Sequence, residues 1–289
     1  PTPDDPMNPP PDDAPPAPAV ELSGIWKRFP GVVANAGAHL KVRTGTVHAV
    51  LGENGAGKST LLHLIAGLEP RRHGALRIDG TSAETLSRRD FACKLAILTQ
   101  DTGVASRLTV ADLVAFGRWP HCRGRMRDTD HAAVARALEM FDLTDLSRRY
   151  VDELSGGQRQ RAHVAMAYAQ ETDWLLLDEP LNNLDPRHAQ ALMARLYRMS
   201  RPGPDQRSIV IVIHEVNYAA AWADHVVALK HGMVQAEGAP ASVLTGEALS
   251  ALYETPIRVA QVDGRPVVLH HRAEPGLATR DAAQLRQVV

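Results

Sequence analysis

Short apolar runs alternate with helix-like segments along most of the chain. KSTLLHLIAGL (58–68) repeats leucine and isoleucine at helical spacing, and Gly67 is placed to end that helix. The runs around it are strand-sized, and several are continuously apolar, which is typical of a sheet covered on both faces. The predicted strands are TVHAVLG (46–52), KLAILTQ (94–100), DWLLLDE (173–179), SIVIVIH (208–214) and HVVALKHG (225–232). This alternation predicts an α/β fold.

The strand pattern stops between Gln100 and about Asp152. ADLVAFGR (111–118) and DHAAVARALEMFDL (130–143) have helical patterns, so an all-helical subdomain of about residues 101–157 is predicted as an insert in the α/β core. Near the end of the chain, two alternating runs flank Asp263-Gly264. They predict a small hairpin over about residues 256–270.

Both ends of the chain differ in composition from the part between them. Residues 1–19 contain nine prolines, four aspartates and no lysine or arginine, so they cannot bury enough apolar surface and are predicted to be a disordered tail. Residues 272–289 carry little pattern and are assigned as a C-terminal tail. Residues 20–271 remain as one predicted domain.

Composition and charge exclude several classes of protein. Apolar residues make up 44% and charged residues 22%, as in a globular protein, and the net charge of −1 provides no basic field to hold nucleic acid. Cys93 and Cys122 lack metal-type spacing, so we expect two free thiols in a reducing cytosol. No apolar run approaches the ~20 residues that span a bilayer, and no secretory-signal pattern opens the sequence. We expect a chain that does not cross a membrane by itself.

One glycine-rich segment carries a specific chemical signal. GENGAGKST (52–60) matches G-x-x-x-x-G-K-[ST], follows a predicted strand and opens a predicted helix, which is the context that this motif requires. Its glycines let backbone amides approach phosphates, and the helix N-terminus favours their charge. Lys58 would reach the β- and γ-phosphates, and Ser59 would offer a hydroxyl to magnesium. The motif predicts a nucleotide site.

Polar side chains end three other predicted strands, where open α/β sheets bind ligands. Asp178 would hold magnesium through its water shell, and Glu179 could orient and polarise an attacking water. His214 could donate to the γ-phosphate, and Gln100 could sense magnesium or water. Taken alone, Asp178, Glu179 and His214 are more often structural, and Gln100 is uninformative. The pairing of the two acidic residues with Lys58 favours the functional interpretation.

A second helix start resembles a phosphate cradle. In LSGGQRQR (154–161), a serine and two glycines open a predicted helix about a hundred residues after the first cradle. The order and spacing of the motifs resemble ATP-binding-cassette (ABC) ATPases over about residues 20–271. LSGGQ is highly specific, since P-loop kinases and GTPases lack it. The motifs are GENGAGKST, Gln100, LSGGQRQR, LLLDEP, NNLD (182–185) and His214.

The resemblance implies an α/β P-loop NTPase (RecA-like) core with an antiparallel β edge and an inserted all-helical subdomain. It also implies an ATP site in which Phe29 stacks on adenine, although a core role for Phe29 is the alternative. The implied catalytic residues are Glu179, His214, Lys58 and Gln100, and the implied Mg²⁺ ligands are Ser59, Gln100 and Asp178. The implied ATP-binding residues are Phe29, Gly52, Glu53, Asn54, Gly55, Ala56, Gly57, Lys58, Ser59 and Thr60.

The resemblance also explains why one chain carries two cradles. Two subunits would face each other head to tail as a homodimer, with each ATP between the P-loop of one and the LSGGQ segment of the other. The residues implied to contact ATP or the other site across the dimer are Ser155, Gly156, Gly157, Gln158 and Asp185. The implied cofactors are ATP and Mg²⁺.

The insert points to the transported cargo. TQDTGVASRLTVADLVAFGRWPH (99–121) and IHEVNYAAAWADHVVALKHGMV (213–234) resemble the ATPases of iron–siderophore importers more closely than the haem or cobalamin branches. GIWKRFPGVVAN (24–35) instead resembles sugar or nucleoside importers, whose ATPases usually carry two fused cassettes. The leading hypothesis is therefore the ATPase of an iron–siderophore importer, with haem, cobalamin and sugar or nucleoside import as alternatives.

This hypothesis implies partners and a location. The partners are integral-membrane permease subunits and, indirectly, a substrate-binding protein, with no nucleic acid. The location is peripheral, on the cytoplasmic face of the cell (inner) membrane. A non-transport ABC ATPase is a second class, which the absence of tandem cassettes, coiled coils and zinc modules disfavours. An exporter's ATPase is a third class, disfavoured by the insert.

The insert contains a basic run, RWPHCRGRMR (118–127). The simpler interpretation is a solvated, charged loop. The alternative is an electrostatic contact with the permease or with anionic lipid headgroups, in which Arg123 and Arg125 would take part.

Overall fold

A computed structural model describes residues 20–100 and 107–269, so the predicted tails and residues 101–106 lie outside the described residues. Its strands are β1 (Val20–Phe29), β2 (Val32–Val42), β3 (Val47–Leu51), β4 (His73–Ile78), β5 (Thr81–Ser82), β6 (Leu95–Leu98), β7 (Trp174–Asp178), β8 (Ser208–Val212), β9 (His225–Lys230), β10 (Met233–Gly238), β11 (Arg258–Val262) and β12 (Arg265–Leu269). Its α-helices are α1 (Lys58–Ile65), α2 (Arg88–Lys94), α3 (Val110–Phe116), α4 (Trp119–Cys122), α5 (Asp128–Met140), α6 (Gly156–Ala169), α7 (Pro186–Met199), α8 (Val216–Trp222), α9 (Pro240–Val243) and α10 (Gly246–Leu252).

The main sheet has six strands in the order β10-β9-β3-β8-β7-β6. The five strands from β9 to β6 pair in parallel, and β10 pairs antiparallel at one edge. Every residue of β3, β7 and β8 is buried, as their continuous apolar runs predicted. Because the strands are parallel, the residues that follow β3, β6, β7 and β8 meet along the same edge.

A second sheet, in the order β2-β1-β4-β5, is antiparallel. Val20, Leu22 and Ile25 of β1 are buried in the same core cluster as the apolar face of α1, including Leu61. This cluster holds α1 between the antiparallel sheet and the main sheet. The predicted α/β P-loop architecture with an antiparallel part is confirmed.

Four α-helices, α3 to α6, lie in the described residues between Arg107 and β7. The only β pairing among these described residues is an isolated bridge between Thr109 and Tyr150. Their apolar faces pack on one another through residues such as Val114, Ala137 and Phe141. Helices were predicted here. The limits of the subdomain remain a prediction because residues 101–106 are not described. In the described residues no helix is long and apolar enough to span a bilayer.

The basic run is not one solvated loop, so that prediction is wrong in part. Arg118 is 5% exposed, and its Nε atom lies 3.0 Å from Oδ1 of Asp130. The same guanidinium donates to the carbonyl of Ala169, at the end of α6 (2.7 Å), and to Glu171 (2.8 Å). A buried guanidinium requires such partners, and here they tie α4 and α5 to the end of α6.

β11 and β12 pair antiparallel around Asp263-Gly264, in the region where a C-terminal hairpin was predicted. Its position is fixed by Asn217 of α8. The Asn217 side chain accepts from the Val268 amide (2.8 Å) and donates to the Val268 carbonyl (3.1 Å).

Candidate functional site

The loop between β3 and α1 can only be built with glycine at two points. Gly57 has φ of 95°, and a Cβ atom there would lie 2.1 Å from the carbonyl oxygen of Ala34. A Cβ atom on Gly52 would lie 2.2 Å from the carbonyl oxygen of Leu229. Since both obstacles are backbone atoms, the loop packs tightly against β2 and β9. Its amides lie at the N-terminus of α1, as a phosphate cradle requires.

Lys58 is held inside this cradle. It is 5% exposed, and its ammonium donates to the carbonyls of Gly52 (2.9 Å) and Glu53 (2.8 Å). Burial lowers the pKa of Lys58, while the carboxylates of Glu179 and Asp178 act to raise it. A phosphate would be a stronger, charge-assisted acceptor for this ammonium than either carbonyl.

Ser59 and Asp178 meet beside the cradle, one at the start of α1 and one at the end of β7. The Ser59 hydroxyl donates to Oδ1 of Asp178 at 3.1 Å, and Oδ2 of Asp178 is buried without a hydrogen-bond partner. Burial raises the pKa of Asp178, and the hydrogen bond from Ser59 opposes this rise. An unpaired buried carboxylate oxygen is unfavourable unless something binds it. A hydroxyl and a carboxylate fit Mg²⁺, which takes its other ligands from phosphate and water.

Glu179 follows β7 and is held by three side chains. Nε2 of Gln100 (2.8 Å) and Nδ2 of Asn182 (2.6 Å) both donate to Oε2, and Nε2 of His214 contacts Oε1. Glu179 is 9% exposed, has φ of 51°, and its amide donates to the carbonyl of Val212 (3.2 Å). A carboxylate fixed in this way can orient a water molecule and accept its proton.

These groups line one cleft of about 490 Å³. The cleft brings together ten of the predicted residues, while Gly52, Glu53 and Ala56 belong to the loop but not to the lining. Asp178 is buried behind Ser59. The ten are Phe29, Asn54, Gly55, Gly57, Lys58, Ser59, Thr60, Gln100, Glu179 and His214, and Val32 and Ala34 complete the lining.

Sequence reasoning missed Asn182 as a site residue. It lies three positions after Glu179, in the turn before α7, and its amide holds the Glu179 carboxylate. The available signal was its place in the NNLD segment, but only the fold of the turn shows that this asparagine contacts Glu179.

The LSGGQ segment lies outside this cleft. Ser155 caps α6, with its hydroxyl accepting from the Gln158 amide (3.3 Å), and Oε1 of Gln158 accepts from the Ser155 amide (3.1 Å). A Cβ atom on Gly156 would lie 3.3 Å from Cβ of Asn183, so this helix start packs on the turn of residues 182–185. Asp185 caps α7 by accepting from the His188 amide at 2.8 Å. The residues predicted to act across a dimer therefore share a second surface of the chain.

The sequence profile described as ABC transporter matches residues 36–182, half of the chain. The chain belongs to the ABC transporter family. Among its curated relatives, the petrobactin import ATP-binding protein YclP of Bacillus subtilis is 38% identical over 86% of this chain and 98% of its own length. The hemin import ATP-binding protein HmuV of Streptomyces coelicolor is 37% identical over 87% of this chain and 89% of its own length.

Solved structures agree with this assignment. A chain described as part of a metal-chelate-type ABC transporter in an inward-facing conformation has a TM-score of 0.73 and 26% identity, over 87% of this chain and 96% of its own. The cassette MJ0796, a dimer in a post-hydrolysis state bound to ADP and Pi, has a TM-score of 0.68 and 25% identity, over 76% of this chain and 98% of its own. The protein is an ABC ATPase.

Proposed function

We propose that the chain is the ATP-hydrolysing subunit of an importer and energises uptake of an iron–siderophore complex through a separate permease. The observation that carries the ATPase part is the Glu179 carboxylate, held by Gln100, Asn182 and His214 at a cleft that opens onto Lys58. The cargo assignment is supported by the siderophore-importer relatives and by the siderophore-like insert.

In this proposal, the nucleotide lies in the cleft with its phosphates on the loop between β3 and α1, and Phe29 stacks on the adenine. Lys58 exchanges its two carbonyl partners for the β- and γ-phosphates. Ser59 and Asp178, with Gln100, would hold Mg²⁺, which supplies charge compensation at the phosphates.

Glu179 then orients a water molecule in line with the γ-phosphorus and accepts its proton as ADP leaves. Gln100 and Asn182 keep Oε2 in place, so that one carboxylate oxygen is fixed and the other faces His214. His214 donates to the γ-phosphate. These groups stabilise charge that grows on the transferred phosphoryl group.

The proposal places Ser155, Gly156, Gly157 and Gln158 on the γ-phosphate of the other subunit, with Asp185 beside them. This placement is supported by the position of these residues, which lie on a surface separate from the cleft of their own chain. They could therefore contact a nucleotide only if a second subunit brings it to them. Hydrogen bonds to a charged group contribute about 1.5–3 kcal/mol each. Two or three at each of two sites add up to about 6–18 kcal/mol. A shift of a two-state equilibrium from 1:99 to 99:1 takes ~5.5 kcal/mol.

The subunits would act as a homodimer bound to permease subunits on the cytoplasmic face of the inner membrane, and a substrate-binding protein would deliver the cargo to the permease. Hemin import is a second candidate, favoured by the similarity to the hemin import protein of S. coelicolor. Both candidates use the same cleft, because the permease and binding protein select the cargo.

Co-purification with the permease, followed by reconstitution into proteoliposomes, tests the proposal. A ferric siderophore presented by its binding protein should stimulate ATP hydrolysis and accumulate inside ATP-loaded vesicles, and a Glu179→Gln subunit should abolish both. Stimulation by haem alone would transfer the assignment to the second candidate. Co-purification with ribosomes or DNA, without a permease, would refute transport.

A further inference from the structure

The outer face of the antiparallel sheet carries a half-exposed tryptophan in an apolar cleft. Trp26 is 45% exposed, and its indole packs over Gly37. The cleft beside it has a volume of about 280 Å³ and is lined by Trp26, Lys27, Arg28, Val33, Arg72 and His73. This side of the sheet faces away from the core. Val20, Leu22 and Ile25 of β1 lie on the opposite side of the sheet and are buried in the core.

The same face is basic. Arg28, Lys41, Arg72 and Arg77 are all exposed, and His39 and His73 are exposed between them. Of the four permanent cations, Lys41 pairs with Glu21 (3.3 Å), and none of the three arginines has an ion pair with the described residues. The face therefore suits an acidic ligand with an apolar, ring-like part.

We propose that this face, from Lys41 and Arg77 to the Trp26 cleft, is the docking site for the N-terminal segment of the same chain, residues 1–19. That segment has the complementary chemistry, with nine prolines, four aspartates and no cation. Proline-rich segments bind aromatic-lined clefts in the polyproline II conformation, because their rings pack on aromatic side chains with little loss of entropy.

The chain length between the segment and the cleft supports the proposal. Val20 lies at the start of β1 and Trp26 six residues further along, about 20 Å away at strand spacing. Pro9, Pro10 and Pro11 lie nine to eleven residues before Val20, about 28–34 Å of polyproline II chain. The segment can therefore turn back at Val20, run over the sheet and seat these prolines at Trp26.

This path separates the two acidic pairs. Asp12 and Asp13 lie between the seated prolines and Val20. They therefore pass between Arg28 and Arg72, which line the cleft, and Lys41 and Arg77, which lie near the start of β1. Asp4 and Asp5 lie about 50 Å of chain from Val20, beyond the end of β1, which is about 30 Å long. Only the first pair therefore lies within the basic face.

Selective labelling of the full chain with ¹⁵N-tryptophan tests the docking, since it gives one indole N–H signal for each of the four tryptophans. Trp26→Phe assigns the Trp26 signal. Asp12→Asn with Asp13→Asn should move this signal toward its undocked position, with the docked-to-free ratio falling about fivefold, as expected for two exposed ion pairs. Raising the salt concentration should move it in the same direction.

Asp4→Asn with Asp5→Asn is the matched control, because it makes the same change in net charge and should leave the Trp26 signal in place. The proposal is overturned if neither pair moves the signal, or if both pairs move it equally. It is also overturned if the shift depends on protein concentration, because the occupant would then come from another copy of the chain. The unchanged signals of the other three tryptophans report that every variant is folded.

Discussion

Removing the side-chain amide of Asn182 tests whether the orientation of the Glu179 carboxylate limits hydrolysis. Two amides hold Oε2 of Glu179, at 2.6 Å from Asn182 and 2.8 Å from Gln100. A hydrogen bond to a charged group is worth about 1.5–3 kcal/mol, and each 1.4 kcal/mol is tenfold in rate. Because Gln100 remains, we expect Asn182→Ala to lower kcat about tenfold. The KM for ATP should change little, since Asn182 does not line the cleft.

Asn182→Asp replaces the donor with a second carboxylate of the same size. Two carboxyl groups in hydrogen-bond contact share a proton, and the pair loses that proton at a raised pKa. The Asp variant should therefore be slower than the Ala variant at pH 7 and regain activity as the pH rises, while the Ala profile follows wild type. A steady-state ATPase assay over pH 6–9 measures both effects. Wild-type kcat in both variants would refute the role given to this contact.

Two further predictions concern stability without nucleotide. Gly57→Ala should lower the free energy of unfolding by at least about 2 kcal/mol, because its Cβ atom would meet the Ala34 carbonyl, whereas Gly55→Ala, with nothing within 4 Å, should cost only about 1 kcal/mol of backbone strain. Equal losses in urea melts would contradict this account of the loop. Burial lowers the pKa of His48 to about 3 from 6.5, with His225 and Arg43 adding to the shift. Between pH 6.5 and about 3, His48 therefore binds a proton in the unfolded chain but not in the folded chain. The free energy of unfolding should fall as the pH drops through this range. His48→Gln should remove as much as about 1.4 kcal/mol per pH unit of that slope, and an unchanged slope would place the acid sensitivity elsewhere.

The main sheet and the cradle could be predicted because their signals are local. A continuously apolar run such as SIVIV is compatible with burial on both sides, and G-x-x-x-x-G-K-S between a strand and a helix has one known geometry. The capping of α6 was also local, since Ser155 and Gln158 stand at capping-box spacing.

The remaining contacts depend on packing between segments far apart in the sequence. Arg118 belongs to a basic run that looks solvated, and its partner Glu171 is brought to it only by the return of α6. Lys58 contacts carbonyls of its own loop, a contact that depends on how that loop is folded. Asn182 was missed for the same reason, because a turn of irregular backbone has no periodicity to reveal which side chain points back at Glu179.

We propose that ATP is hydrolysed between two copies of this chain, by Glu179 of one and the LSGGQ surface of the other. Size-exclusion chromatography with light scattering on Glu179→Gln in the presence of ATP and Mg²⁺ tests it most directly. We expect a stable dimer of about twice the 31.4 kDa chain mass, which an added Ser155→Arg converts to a monomer that still binds ATP. A Glu179→Gln chain that stays monomeric with ATP bound, or a dimer indifferent to Ser155→Arg, would contradict it.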